Sequence, residues 1–204
     1  KLALGLDELT ICRGEKTALI GPSGAGKTTL LRTLYNQQPQ ASTRIQQDFG
    51  LITQLNVWQN VYAGRLNRYS NWRNIRNLFL PEKELSIEID KLIDEVSLGD
   101  KKQARVAELS GGEQQRVAIA RALFQGGEIL LGDEPVSAVD PHHAERIIKQ
   151  LLSDDKTFVF SMHRVDLALK YCTRIIALRE GRLFFDLPSE QVSKEHLAEL
   201  YRPC

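Results

Sequence analysis

Three cysteines are too few and too irregularly spaced to act together. Cys12, Cys172 and Cys204 fit neither a zinc site nor a disulfide framework, and a reducing cytoplasm is the expected setting. Neither sign of charge is in excess. With 27 basic against 26 acidic residues, no bulk field draws the chain onto nucleic acid, although a local patch could. No apolar run approaches the roughly 20 residues of a membrane-spanning helix; the longest, such as Ile175-Ile176-Ala177-Leu178, are strand-sized. No secretory signal opens the chain. It begins at Lys1 rather than Met, as a trimmed fragment or a chain with a leader would. Aromatic residues are absent ahead of Tyr35. At 204 residues and 42% hydrophobic, the chain suits one domain with a substantial core.

What is present is a set of short apolar runs that end in polar residues. Thr17-Ala18-Leu19-Ile20 leads into Gly21, Ile129-Leu130-Leu131 into Asp133 and Glu134, and Thr157-Phe158-Val159-Phe160 into His163. Continuous apolarity, rather than alternation, marks strands buried on both faces. Helical stretches over residues 27–35, 113–124 and 143–152 separate them. Strands alternating with helices predict a mostly parallel α/β sheet with ligands at the carboxyl ends of its strands, so the three loaded segments are expected to meet. Residues 174–178 and 183–185 flank Glu180-Gly181 and read as a closing hairpin. Residues 57–105, rich in helix formers, Asn and Arg, are expected to form a helical subdomain within a single domain spanning 1–204.

Gly21-Pro22-Ser23-Gly24-Ala25-Gly26-Lys27-Thr28 fits the pattern G-x-x-x-x-G-K-[ST], with Thr29 next in the helix. It follows a predicted strand and opens a predicted helix, the context that separates this motif from a Gly-rich turn. Glycines let backbone N–H groups turn in around phosphate oxygens, and the helix adds its positive end. Lys27 is expected to reach the β- and γ-phosphates and the Thr28 hydroxyl to ligate Mg²⁺. Asp133 and Glu134 end an apolar strand, where acidic residues often just begin a loop. Beside a phosphate cradle they acquire work: Asp133 to hold Mg²⁺, directly or through water, and Glu134 to orient and deprotonate the attacking water.

Leu109-Ser110-Gly111-Gly112-Glu113-Gln114-Gln115-Arg116 precedes a third helix. Ser110 and Glu113 form an S-x-x-E capping box. The cap does not explain two consecutive glycines, which expose N–H groups at a positive helix end as a second anion site. This run closely resembles the signature of ABC (ATP-binding cassette) ATPases, and the phosphate loop and acidic pair stand on either side in the family's order. The resemblance covers nearly the whole chain. It implies a P-loop NTPase fold of ABC type, with ATP and Mg²⁺ as cofactors. It assigns Gln54 to sensing Mg²⁺ and the water, Ser137-Ala138-Val139-Asp140 to the D-loop with Val139 where Leu is usual, and His163 to the γ-phosphate switch. It implies a homodimer in which Ser110, Gly111 and Gly112 of one subunit cover the ATP of the other.

Within the family, the chain lacks the coiled coils and zinc modules of DNA-repair members, and it stops about forty residues past His163, where several importers carry a regulatory domain. Residues 165–181, 55–61 and 196–202 resemble the ATPase of phosphonate importers. The implied function is thus to power an importer for phosphonate. The implied partners are a second ATPase subunit, an integral-membrane permease and, indirectly, a periplasmic binding protein, at the cytoplasmic face of a bacterial inner membrane. An importer for another small solute, such as an amino acid or a metal, and a non-transport ABC ATPase are the alternatives. No nucleic-acid partner is expected. The basic and aromatic run from Arg65 to Arg76 reads as a solvated helical face, with single-strand binding the less favoured reading. Two departures stand out. Only residues 36–49 separate the first helix from the strand leading to Gln54, so the antiparallel β subdomain is expected to be reduced. The aromatic residue on which the family stacks adenine would fall before Lys1; Tyr35 and Phe49 are the nearest substitutes.

Overall fold

A computed structural model describes residues 9–152 and 155–202 and divides the chain into two compact units. The first comprises Lys1–Gln47, Glu128–Ser137 and Pro141–Cys204, and the second Asp48–Gly127 with Ala138–Asp140. Cys204 lies outside the described residues.

The first unit is built on one six-stranded sheet. Its strands are β1 (Lys16–Ile20), β2 (Ser42–Ile45), β3 (Ile129–Asp133), β4 (Thr157–Ser161), β5 (Arg174–Arg179) and β6 (Arg182–Pro188). They lie in the order β2-β3-β4-β1-β5-β6, and every neighbouring pair is parallel except the β5–β6 hairpin. The three apolar runs are β1, β3 and β4 and occupy the interior of the sheet, as their unbroken apolarity requires. Helices α1 (Lys27–Gln37), α6 (Pro141–Leu151), α7 (Val165–Tyr171) and α8 (Lys194–Leu200) belong to the same unit. Leu30 and Leu31 of α1 pack with Leu19, Leu131, Val159, Ile176 and Leu178 of the strands. Strand side chains alternate between faces. Because Leu131 and Val159 lie under α1, so do Asp133 and Ser161, two residues further along each strand.

The stretch between α1 and Phe49 differs from the reduced antiparallel subdomain that the sequence leads one to expect. Residues 38–41 alone link α1 to β2, and β2 runs parallel to β3. The reduced antiparallel subdomain therefore shrinks, between α1 and Phe49, to a single parallel strand. That strand ends at Ile45, two residues before Gln47.

The second unit holds α2 (Val57–Tyr62), α3 (Asn71–Phe79), α4 (Lys83–Glu95) and α5 (Gly111–Gln125), with short 3₁₀ turns between them. Asn56 caps α2 with a full capping box, and Ser70 caps α3. Val57, Val61, Ile89, Ile93, Val117 and Ile119 are buried. The basic run is largely committed to carboxylates. Arg65 makes a bidentate pair with Glu88, and Arg73 and Arg76 both bind Glu82. The face of α3 left to solvent carries Trp72, Ile75 and Phe79, so it is more apolar than the charge of this run suggests.

Candidate active site

The phosphate loop begins where β1 stops. Gly21 sits at φ +142°, and a Cβ there would come 2.1 Å from the Leu178 carbonyl oxygen, so a side chain is excluded by both torsion and space. The β5–β6 turn braces the loop: the Gly181 N–H donates to the Ala25 carbonyl at 3.2 Å. Gly26, left-handed at φ 104°, starts α1 without any side-chain cap. The first N–H groups of α1 thus keep their donors turned toward the loop, where the helix is positive. Lys27 is buried, and its ammonium donates to the carbonyls of Gly21 at 2.7 Å and Pro22 at 3.0 Å. Burial pushes its pKa down, while the Glu134 and Asp133 carboxylates pull it back up.

The acidic pair is held from β4. Asp133 and Ser161 are register partners across β3 and β4. The wholly buried Ser161 hydroxyl donates to Asp133 Oδ1 at 2.6 Å and accepts from the Glu134 N–H at 2.9 Å. Glu134 lies in the left-handed region at φ 53°, a conformation that costs a non-glycine residue on the order of 1–3 kcal/mol and collects at functional sites. From there its Oε1 meets His163 Nε2 at 2.6 Å. A cavity of about 240 Å³ opens between these groups, lined by residues 23–29, Gln47, Glu134 and His163. Lys27, Thr28, Thr29, Glu134 and His163 are therefore brought together, with Asp133 buried behind Glu134.

The second unit builds its own feature around Ser110. The Ser110 hydroxyl accepts from the Glu113 N–H at 3.4 Å, and the Ser110 N–H donates to Glu113 Oε2 at 2.9 Å, the capping box read from the sequence. Lys101 donates to Glu113 Oε1 at 2.5 Å. That contact, with the Ser110 backbone bond, lowers the Glu113 pKa to about 2. A Cβ on Gly112 would lie 2.6 Å from the Ala138 carbonyl oxygen, while one on Gly111 would meet nothing within 4 Å. Gln115 accepts from the Ala138 N–H at 2.8 Å, so residues 138–140 are fastened to α5.

Residues 6–137 match the ABC transporter family. The chain belongs to that family. This ABC ATPase is 39% identical to phosphonates import ATP-binding protein PhnC 2 of Pseudomonas savastanoi pv. phaseolicola, over 95% of its own length and 81% of the relative's. It is also 39% identical to PhnC 1 of Pseudomonas aeruginosa, over 98% and 84%. A dimeric bacterial ABC transporter cassette superposes with a TM-score of 0.78 at 28% identity, covering 92% of this chain and 90% of that one. The same score and identity relate it to an ATP-binding cassette in a dimeric post-hydrolysis state with ADP and Pi. The alignment to the Pseudomonas savastanoi relative runs over 228 positions, more than the 204 residues of this cassette. That relative carries residues with no counterpart here.

Two residues of the cassette escape the sequence pattern. Gln54 lies in an exposed turn of the second unit, whereas Gln47, two residues past β2, lines the phosphate-loop cavity. Gln47 follows a strand of four residues, too few to show a period in the sequence. Ser161 has no signal in isolation, since a serine ending an apolar run resembles any strand terminus. Neither candidate aromatic lines the cavity: Tyr35 packs against the core below α1, and Phe49 belongs to the second unit.

Proposed function

We propose that this cassette hydrolyses Mg-ATP to power import of phosphonate through a membrane permease. The names of the relatives, matched over nearly the whole chain, support the cargo class. The observation that carries the chemistry is the Glu134–His163 contact on a cavity walled by the phosphate loop. Residues 21–29 take the triphosphate, with Lys27 on the β- and γ-phosphates. The oxygen donors near this cavity fit a hard divalent cation: the Thr28 hydroxyl, the Gln47 amide oxygen and the Asp133 carboxylate. Bound there, Mg²⁺ would neutralise charge on the β- and γ-phosphates. Gln47 takes the sensing role that sequence alone gave to Gln54. Glu134 accepts the proton of the attacking water, and His163 fixes the carboxylate and reads the γ-phosphate. Ser110, Gly111 and Gly112 cover the nucleotide of a second copy, as the dimeric relatives suggest. The pair works as a peripheral assembly on the cytoplasmic face of a bacterial inner membrane, supplied by a periplasmic binding protein. Among the described residues no helix is long and apolar enough to cross a membrane.

Glu134→Gln keeps size and removes the proton-accepting charge. ATP binding is expected to survive and hydrolysis to fall roughly 10²–10⁴-fold, the worth of a positioned base. The protein then accumulates as an ATP-bound dimer on size-exclusion chromatography with Mg-ATP. Turnover at the wild-type rate removes Glu134 from the mechanism. Co-purification of the native complex with a phosphonate permease tests the cargo.

A further inference from the structure

We infer that Ser161 is a positioning residue for hydrolysis, one hydroxyl that sets both carboxylates of the acidic pair at once. The inference rests on the reading of Asp133 as the cation-side carboxylate and Glu134 as the base. Ser161 is wholly buried at the end of β4, in register with Asp133 on β3 and with Leu19 on β1. A buried hydroxyl needs partners, and this one uses its donor and its acceptor on adjacent residues of one strand end. Its proton goes to Asp133 Oδ1 at 2.6 Å, which restrains that carboxylate and leaves Oδ2 unused by the hydroxyl. Its lone pair takes the Glu134 N–H at 2.9 Å. That second bond falls on the residue whose backbone is strained, at φ 53°. Without it, Glu134 has less to hold it in the left-handed region, and the 2.6 Å contact from its Oε1 to His163 Nε2 loses its anchor. The Ser161 hydroxyl bonds the acidic pair, whereas Lys27 donates to the carbonyls of Gly21 and Pro22. The hydroxyl therefore acts on cation binding and on the attacking water, not on capture of the triphosphate.

The test compares Ser161→Ala, Ser161→Thr and Glu134→Gln in the full chain. In Ser161→Ala, kcat is expected to fall roughly 10- to 100-fold, the usual loss when a partner behind a metal ligand is removed. Mn²⁺ affinity of the nucleotide-loaded chain, read by electron paramagnetic resonance, is expected to weaken with it, while ATP affinity measured in excess chelator stays at the wild-type value. Ser161→Thr keeps the hydroxyl and is expected to restore both. Wild-type Mn²⁺ affinity in Ser161→Ala overturns the inference whatever the rate does. So does a Thr variant as impaired as the Ala variant, which assigns the effect to packing. If Glu134→Gln itself turns over at the wild-type rate, the reading of the acidic pair fails; if it stalls while Ser161→Ala does not, only the role of Ser161 fails.

Discussion

Glu113 shows how a single side chain joins two jobs. It closes the cap of α5 and accepts from Lys101, and these contacts hold its pKa near 2 against an ordinary 4.5. The folded value lies below the unfolded one, so the ionised form is the one that stabilises the fold. That contribution is fully present above about pH 4.5 and fades as the pH falls toward about 2. Urea unfolding of wild type and Glu113→Gln is expected to give a stability gap that is constant from pH 7 to 5 and closes below 4.5. A gap independent of pH would mean that the cap, not the charge, does the work. At this scale the sequence was a good guide to residues that carry a motif and a poor guide to residues that serve one. Lys27, Glu134 and His163 stand out by type and spacing. Gln47 and Ser161 do not, because their meaning comes from which strand end lies beside them.

Among the elements, α5 separates two glycines that look alike in the sequence. Gly112 is required by the fold: a methyl group would press on the Ala138 carbonyl, 2.6 Å from its Cβ. Gly111 faces open space within its own subunit, where a Cβ would meet nothing within 4 Å. Gly112→Ala is expected to cost about 1–3 kcal/mol, as overpacking does, with a lowered Tm. Gly111→Ala is expected to leave Tm unchanged or slightly raised while Mg-ATP hydrolysis falls. Equal loss of Tm in both variants would refute the distinction. The helices and strands themselves were legible wherever apolar residues ran in unbroken blocks or a cap preceded them. β1, β3, β4 and α5 meet that condition, while α1 is marked by the glycine-rich motif that opens it. β2 is the exception: four residues, one of them Arg44, offer no block, and its place beside β3 depends on pairing across more than eighty positions.

In the whole molecule, the phosphate loop lies in one unit and the capped signature in the other, and the proposed dimer would set one copy's signature on the other's nucleotide. Ser110→Arg is therefore expected to abolish hydrolysis without weakening ATP binding by the monomer, and Lys27→Ala to abolish both. Mixed, the two variants are expected to recover hydrolysis that neither has alone, since one composite site then holds an intact lysine and an intact serine. A mixture that stays inactive, or a Ser110 variant that no longer binds ATP as a monomer, rules out the shared site. The sheet order has a further consequence, and it concerns time. β1 is made early, yet among the described residues its partners in the sheet are β4 and β5. Until Phe158–Ser161 and Arg174–Ala177 have left the ribosome, the apolar strand that carries the phosphate loop has no neighbour. At roughly 5–20 residues per second of synthesis, that strand waits on the order of ten seconds. A nascent chain paused anywhere in the helical segment leaves Ala18, Leu19 and Ile20 without a strand partner, so the earliest-made part of the ATP site waits for strands made much later.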